Sequence, residues 1–369
     1  MPTWFPRALV VPCLVAGVWT AAASAPAAGD DGSDDGSDSA PAEFALADPR
    51  LTESSGLAAS ARHPDVYWTH NDSDDAARIY AVDGTTGETR ATVDLAGVTA
   101  RDVEAISLGP EGDLYVADIG DNFGGEWPEV WIYRLPEPAE LADATVAPTV
   151  YTVRYADGPR DAEALMVHPE TGRVYIASKK GDGAGGLYVA PEELSEAGVN
   201  VFERVADIEL EVTDGAFAPD GSRLLLRGYF AARMYAWGED GLPRRLERRV
   251  RVPLQQQGES VTFASGGRYV MFGSEGAGSE VEPIELEGEL LPESVAAADR
   301  EREEGTDEDG ASEGSGGDAE GGAEGSESDG SRSEGVSANA VMVLLVIGAV
   351  ALFASRRLPG RGNGTGAGT

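Results

Sequence analysis

The stretch Glu104-Ala105-Ile106, Leu114-Tyr115-Val116 and Ile132-Tyr133 decides the fold, because the chain repeats its pattern at similar spacing. The next copy reads Glu163-Ala164-Leu165, Val174-Tyr175-Ile176 and Leu187-Tyr188, and an earlier copy reads Ser55-Gly56-Leu57, Val66-Tyr67-Trp68 and Ile79-Tyr80. Two weaker copies read Asp214-Gly215-Ala216, Leu224-Leu225-Leu226 and Met234-Tyr235, then Glu259-Ser260-Val261, Tyr269-Val270-Met271 and Ile284. Internal repeats of this length are typical of architectures built from stacked, similar units.

Turn signals indicate that each unit is an antiparallel meander. Proline and glycine separate the first two strands at 110–112, 169–172 and 219–221, as tight hairpin turns require. We therefore predict an all-β fold, a β-propeller of four-stranded antiparallel sheets, with five blades and six as the alternative. In blade two the strands are expected near 104–108, 114–118, 130–134 and 149–155.

The two ends of the repeat region predict how the ring closes. The last copy ends after its third strand, near Leu286, whereas the segment 43–51 precedes the first copy without a unit of its own. We expect this N-terminal strand to complete the final blade, which would remove the free sheet edges.

Composition divides the chain into unequal parts. Arg7, an apolar run and Ala23-Ser24-Ala25 are typical of a secretory signal, and the apolar segment near the C-terminus is followed by Arg356 and Arg357. The positive-inside rule then places the repeats outside the cell membrane and the C-terminus in the cytoplasm. We expect a signal peptide at 1–28, an acidic disordered linker at 29–42, the propeller at 43–291, an acidic Gly/Ser-rich disordered linker at 292–337, a single transmembrane helix at 338–355 and a cytoplasmic tail at 356–369.

Charge and cysteine content exclude several classes of function. The formal net charge is -37, which repels nucleic acid and attracts cations, although solubility alone could also account for it. The one cysteine, Cys13, lies in the predicted signal peptide, so the mature chain has neither a disulfide framework nor a thiol nucleophile.

Propeller geometry converts the repeat into a site prediction. The innermost strand of each blade begins, and the second strand ends, at the same end of the central channel. The polar residues at the first position are Asp102, Glu104, Asp161, Glu163, Asp214 and Glu259, and those at the second are His70, Asn71, Asp72, Asp118, Asp121, Asn122, Lys179, Lys180, Arg227, Tyr229 and Glu275.

The carboxylates of this set predict a cation site. Hard oxygen ligands suit calcium, and pairs such as Asp102 with Glu104 lie two residues apart on one side of a strand. The predicted metal ligands are Asp102, Glu104, Asp118, Asp121, Asn122, Asp161, Glu163 and Asp214. The alternative is that carboxylates at strand starts bind neighbouring backbone amides and tie the blades together.

The remaining residues predict a ligand site in the same acidic funnel. Lys179 and Lys180 are the chain's only lysines, and they lie where an ammonium group could bind a carboxylate or phosphoryl oxygen. Of the three histidines, we expect only His70 to face the funnel, where it could act as a general base. The predicted ligand-binding residues are His70, Asn71, Asp72, Lys179, Lys180, Arg227, Tyr229, Glu259 and Glu275.

Four runs at the blade boundaries carry a family resemblance. They are Asn71-Asp72, Asp118-Ile119-Gly120-Asp121-Asn122, Asp161-Ala162-Glu163-Ala164-Leu165 and Gln257-Gly258-Glu259-Ser260. Through them the segment 51–286 resembles secreted, membrane-anchored bacterial β-propellers of actinobacterial type, and it is more distantly similar to phytase-like esterase and lactonase propellers. The similarity to those enzymes implies metal-bound funnel carboxylates, with Glu104, Glu163 and Glu259 as ligands.

Three functions fit these observations. The first is a membrane-tethered extracellular binding module whose funnel holds a cation, expected to be Ca²⁺, and a small anionic or glycan ligand. The second is a metal-dependent hydrolase of a lactone, ester or phosphoester, with Lys179 or Arg227 stabilising the oxyanion. The third is a scaffold that binds another envelope protein.

Overall fold

The computed structural model describes residues 40–72, 75–179 and 185–309 of the chain. The predicted signal peptide, most of the first linker, Lys180 and the predicted membrane segment at 338–355 lie outside these residues. Within the described part, no helix is both long enough and apolar enough to cross a bilayer.

The described strands form meanders that follow the sequence repeat. After β1 (Phe44–Ala45), blade one contains β2 (Ser54–Ala59), β3 (Val66–Asn71), β4 (Arg78–Asp83) and β5 (Thr89–Leu95). Blade two contains β6 (Val103–Leu108), β7 (Asp113–Asp118), β8 (Val130–Pro136) and β10 (Thr149–Tyr155), and the short β9 (Ala144–Val146) pairs with β5 of blade one. Blade three contains β11 (Ala162–Val167), β12 (Val174–Ser178), β13 (Gly185–Val189) and β14 (Val199–Ile208).

The last two blades complete the set. Blade four contains β15 (Asp214–Phe217), β16 (Arg223–Gly228), β17 (Ala231–Trp237) and β18 (Pro243–Arg245). Blade five contains β19 (Gly258–Phe263), β20 (Tyr269–Ser274), β21 (Glu280–Glu285) and, as its outer strand, β1. The outer strands β10 and β14 pair in parallel, so blades two and three form one continuous sheet.

The blades form a closed ring. Among the described strands, the innermost ones contact one another in the cyclic order β2, β6, β11, β15, β19 and β2 again. A separate cluster of buried apolar side chains fills each of the five interfaces between neighbouring blades. This arrangement brings the starts of all five innermost strands to one end of a central channel.

The structure confirms the predicted all-β meanders and resolves the blade count as five for the described residues. Blade two has its four strands where they were expected, and β1 pairs with β21, so the N-terminal strand closes the ring as predicted. Gly112 and Gly172 adopt positive φ angles of 76° and 67° in the turns that their sequence indicated.

The start of the second predicted linker differs from the expectation. Helix α1 spans Glu293–Asp309, where the sequence analysis placed disordered chain. The amide N–H of Glu293 donates to Ser222 Oγ at 2.9 Å, and that of Ser294 donates to Asp220 Oδ2 at 2.8 Å. A turn of blade four thus supplies partners for N–H groups that a helix start leaves free, while Val295 packs on the apolar cluster between blades four and five.

Candidate functional site

The channel mouth is the end of the ring where the innermost strands begin and the second strands end. Strand pairing is irregular there. The pairing of β6 with β7 skips Glu104, that of β11 with β12 skips Glu163, and that of β19 with β20 skips Glu259. A β-bulge leaves a residue unpaired and re-aims its side chain, so the ladders release these three equivalent glutamates, and the pairing of β2 with β3 is irregular in the same way between Ser54 and Leu57.

Lys179 and Glu163 form an ion pair at the mouth. Lys179 Nζ lies 2.8 Å from Glu163 Oε1 and 5.7 Å from the centroid of the Tyr229 ring. Burial acts to lower the pKa of Lys179, but the charge and hydrogen bond of Glu163, together with the charges of Tyr229 and Asp161, outweigh it and raise that pKa above its ordinary value. The lysine ammonium is therefore held charged between a carboxylate and an aromatic face.

Glu104 and Asp102 lie beside each other over Gly120. A Cβ atom on Gly120 would be 2.6 Å from both Asp102 Oδ2 and Glu104 Oε1, so only glycine leaves room for the two carboxyl groups. Ser55 Oγ donates to Glu104 Oε2 at 3.1 Å, and Asn122 Nδ2 donates to Asp102 Oδ2 at 2.9 Å. Asp102 Oδ1 is buried, and no donor among the described residues forms a hydrogen bond with it.

Sequence reasoning did not include Ser55 or Gly120 among the site residues. Ser55 occupies the position in blade one that Glu104 occupies in blade two, so the repeat alignment could have identified it. The signal for Gly120 is its place between Asp118 and Asp121, although only the structure shows which carboxyl groups approach it.

Burial and mutual repulsion raise the pKa values of the mouth carboxyl groups. The pKa of Glu104 lies well above its usual range, because of burial first and the charge of Glu163 second. Burial and the charge of Asp72 raise the pKa of Asp102 to about 6 and that of Glu275 to about 7. These effects place Asp72, Asp102, Glu104, Glu163 and Glu275 in one electrostatic cluster.

Two further predicted residues belong to the same cluster. Burial raises the pKa of Glu259 to about 8, with the charges of Glu163 and Glu275 adding to the rise. Burial also raises the pKa of Asp161, whereas a hydrogen bond from the amide of Asp121 and the charge of Lys179 lower it. The mouth thus joins carboxyl groups from several blades.

The carboxyl groups of Asp118, Asp121 and Asp214 accept hydrogen bonds from other groups of the protein. Asp118 accepts hydrogen bonds from the amide of Asp102 at 3.0 Å and from the Tyr133 hydroxyl at 2.8 Å. Asp121 accepts from the amide of Trp127 at 2.7 Å. In blade four, which has no bulge, Asp214 accepts from the amides of Gly215 and Val261, each at 2.7 Å. These contacts match the alternative that strand-start carboxyl groups bind amides and tie the blades.

Arg227 also forms hydrogen bonds between blades of the ring. It is fully buried, and its Nη1 donates to the carbonyl oxygens of Ser260 and Gly273 at 2.6 and 2.7 Å. Its Nη2 donates to Gln255 Oε1 at 2.7 Å. The guanidinium therefore joins blade four to blade five, and both of its terminal nitrogens are engaged by protein acceptors.

His70 and Asn71 lie in the wall of the ring. Asn71 accepts from the amides of Thr52 and Glu53 at 3.2 and 3.1 Å. His70 is fully buried, its Nδ1 lies 3.0 Å from the Asn71 carbonyl oxygen, and burial lowers its pKa to about 4. The imidazole is therefore neutral near pH 7 and donates its Nδ1 proton to that carbonyl.

Among 40–72, 75–179 and 185–309, no three His, Cys, Asp or Glu side chains are arranged so that they could enclose a metal ion. The mouth carboxyl groups repel one another and approach in pairs, as Asp102 and Glu104 do. The expected Ca²⁺ site therefore stays a prediction.

The opposite end of the channel has different chemistry. A cavity of about 250 Å³ lies there, lined by parts of all five innermost strands and the turns that follow them, including Leu57, Ile106, Val167, Phe217 and Phe263. None of its lining residues is ionisable. Charged groups that could recognise a polar ligand are thus concentrated at the mouth.

Comparison with solved structures found 838 similar chains, among which are the two described next. No protein-family model and no curated protein sequence matches the chain. A proposed oxidoreductase (glucose dehydrogenase) from Thermus thermophilus is similar over 63% of this chain and 84% of its own, with 15% identity and a TM-score of 0.38. A gluconolactonase from Xanthomonas campestris is similar over 63% of this chain and 72% of its own, with 13% identity and a TM-score of 0.41. Neither similarity assigns an activity to this chain.

Proposed function

We propose that the protein is a binding module whose channel mouth takes a small positively charged ligand. One observation carries the proposal: bulges in three blades release Glu104, Glu163 and Glu259 into one buried cluster, in which Lys179 pairs with Glu163 alone of the three. Buried carboxylates are costly unless they are paired or protonated. A cation at the mouth would offset that cost.

The same geometry argues against an anionic ligand, which the sequence analysis had favoured. Lys179 is neutralised by Glu163, and Arg227 is bound to backbone carbonyl groups. Of the predicted cations, Lys180 lies outside the described residues. An anion at the mouth would therefore face several carboxyl groups with neither Lys179 nor Arg227 free to bind it.

Calorimetric titration tests the proposal. The full-length protein and the double variant Glu104→Ala with Glu163→Ala are titrated separately with calcium, magnesium and an alkylammonium salt at constant ionic strength. We expect at least one cation to give saturable heats with the wild type that the double variant lacks. Identical heats for both proteins with every cation would refute the proposal.

Hydrolysis of a lactone, ester or phosphoester is the second candidate. The observation that favours it is a difference between two neighbouring carboxyl groups: burial raises the pKa of Glu104 well above its usual range, whereas burial raises that of Glu163 to about 7 against the opposing charge of Lys179. Carboxyl groups whose environments push their pKa values apart can divide general acid and general base roles. A panel of chromogenic esters, lactones and phosphates, with and without chelator, tests it; turnover that Glu104→Gln leaves unchanged would remove this candidate.

We also propose that the ring is exposed outside the cell and anchored by one C-terminal membrane helix. This rests on the sequence of 1–28 and 338–355 alone. Protease added to intact cells should cleave the acidic segment before residue 338 and release the ring, whereas ring that stays associated with the cells would contradict the proposal.

A further inference from the structure

We infer that the ligand of the mouth carries a primary ammonium group, which binds between Asp102 and Glu104. The inference rests on the proposed function and narrows its cation to one chemical class.

Lys179 is an alkylammonium ion that the mouth already binds. Its Nζ lies 2.8 Å from Glu163 Oε1 and 5.7 Å from the centroid of the Tyr229 ring, and its side chain is 23% exposed. A carboxylate and an aromatic face are the groups with which proteins recognise ammonium ions. The mouth therefore shows on its own chain the chemistry that an amine ligand needs.

Asp102 and Glu104 also offer carboxyl oxygens as acceptors. Among the described residues, no cationic side chain lies as close to either of them as Lys179 lies to Glu163. Asp102 and Glu104 are 3% and 4% exposed, and an oxygen of each faces Gly120 at the place a Cβ would fill. Within the described part of the chain, the other oxygen of Asp102, Oδ1, is buried and has no hydrogen-bond partner. A buried acceptor left without a donor costs about 1–3 kcal/mol. An ammonium group has three N–H donors, so it could donate to Glu104 and to the carboxyl group of Asp102 together.

The carboxyl groups suit ammonium better than calcium. Calcium takes about six to eight oxygen ligands around one point. In the described part of the chain, three such side chains do not converge to hold a metal ion. An ammonium group requires fewer acceptors, and the pair of carboxyl groups over Gly120 supplies them.

Exposed aromatic side chains at the same end could contact the carbon chain of an amine. Phe123 and Phe230 follow the second strands of blades two and four, and they are 69% and 77% exposed. The Phe230 ring lies 6.3 Å from the Tyr229 ring, which in turn lies against Lys179. An apolar rim around a carboxyl cluster matches a molecule with an alkyl body and a charged amine.

Titration calorimetry with 1,4-diaminobutane tests the inference on the full-length protein, with calcium chloride and magnesium chloride as parallel titrants. Because acidic segments elsewhere also attract cations, the readout is the difference between variants in about 0.15 M salt. We expect Glu104→Gln to weaken diamine binding at least tenfold. The matched control Glu239→Gln, at an exposed glutamate on a turn at the other end of blade four, should leave binding unchanged.

A second variant keeps the test decisive if Glu104→Gln does not fold. Lys179→Met removes the internal ammonium and frees Glu163, so the diamine should bind several-fold more tightly than to the wild type. If the mouth instead uses Lys179 to hold its ligand, the same variant would bind the diamine no better, and the inference would fail.

The outcomes separate the inference from the function on which it rests. Glu104-dependent heats with calcium or magnesium but not with the diamine would overturn the ammonium assignment and leave the cation-binding proposal standing. If Glu104→Gln changes the binding heats of none of the three titrants, both the ammonium assignment and the cation-binding proposal would be overturned.

Discussion

Gly120 shows how closely the carboxyl groups of the mouth are packed. In Gly120→Ala the new methyl group would meet Asp102 Oδ2 and Glu104 Oε1 at 2.6 Å, so at least one carboxyl group must move. We expect diamine affinity to fall at least tenfold and stability to fall by about 1–3 kcal/mol. Calorimetry and urea unfolding measure the two effects.

The matched control is Gly198→Ala, because a Cβ there would meet only Ser195 Oγ, at 3.9 Å. Its binding and stability should stay close to those of the wild type. If Gly120→Ala behaved like this control, Asp102 and Glu104 would not form the site.

Glu259 predicts how stability depends on pH. Its pKa is raised in the folded protein to about 8, from an ordinary value of 4.5, so the folded state holds the proton more tightly than the unfolded chain. The contribution of Glu259 to the stability of the fold should therefore be greatest below about pH 4.5 and should be lost as the pH rises toward 8. Without added cation, we expect Glu259→Gln to remove about 4 kcal/mol of the difference in unfolding free energy between pH 5 and pH 8.5.

Urea unfolding of both proteins at the two pH values checks the expectation. The exposed Glu239→Gln variant again serves as the control, since its pH dependence should equal that of the wild type. A Glu259→Gln protein with an unchanged pH slope would show that this carboxyl group titrates normally in the fold.

Among the elements, the two-residue strand β1 closes the ring. Phe44 is 5% exposed, and its ring stacks on Tyr67 of blade one at a centroid distance of 5.6 Å, although β1 itself pairs with β21 of blade five. Phe44→Ala should lower the unfolding free energy by about 3 kcal/mol, because it empties an interface between two blades. Phe123→Ala, which removes a ring that is 69% exposed, should change stability little. Equal stabilities of the two variants would show that β1 does not hold the ring closed.

The bulges are the element-scale feature that the sequence did not reveal. Glu104, Glu163, Asp214 and Glu259 occupy equivalent places in the repeat, and all four were predicted as site residues. The structure separates them, because pairing skips the three glutamates but keeps Asp214 opposite Arg227. A bulge depends on the partner strand and on packing between blades, and neither is visible in one strand's sequence.

For the whole molecule, the repeat was enough to predict the sheets, the closing strand and the end of the channel where charged groups meet. The roles of individual polar residues depend on distances that the repeat does not encode. Arg227 was expected to bind ligand, yet it reaches the carbonyl oxygens of Ser260 and Gly273 in the next blade. Helix α1 was missed because the partners of its first N–H groups, Ser222 and Asp220, lie far away in sequence.

Proton release on binding tests the central claim most directly, since the claim is that a cation enters a cluster of carboxyl groups that are partly protonated near neutral pH. Binding of 1,4-diaminobutane is measured by calorimetry at pH 7 in two buffers with different ionisation enthalpies. The account predicts that protons are released, and that Glu104→Gln with Glu259→Gln lowers the number of protons released per ligand bound. Binding with no proton release, or with the same release in the double variant, would contradict it.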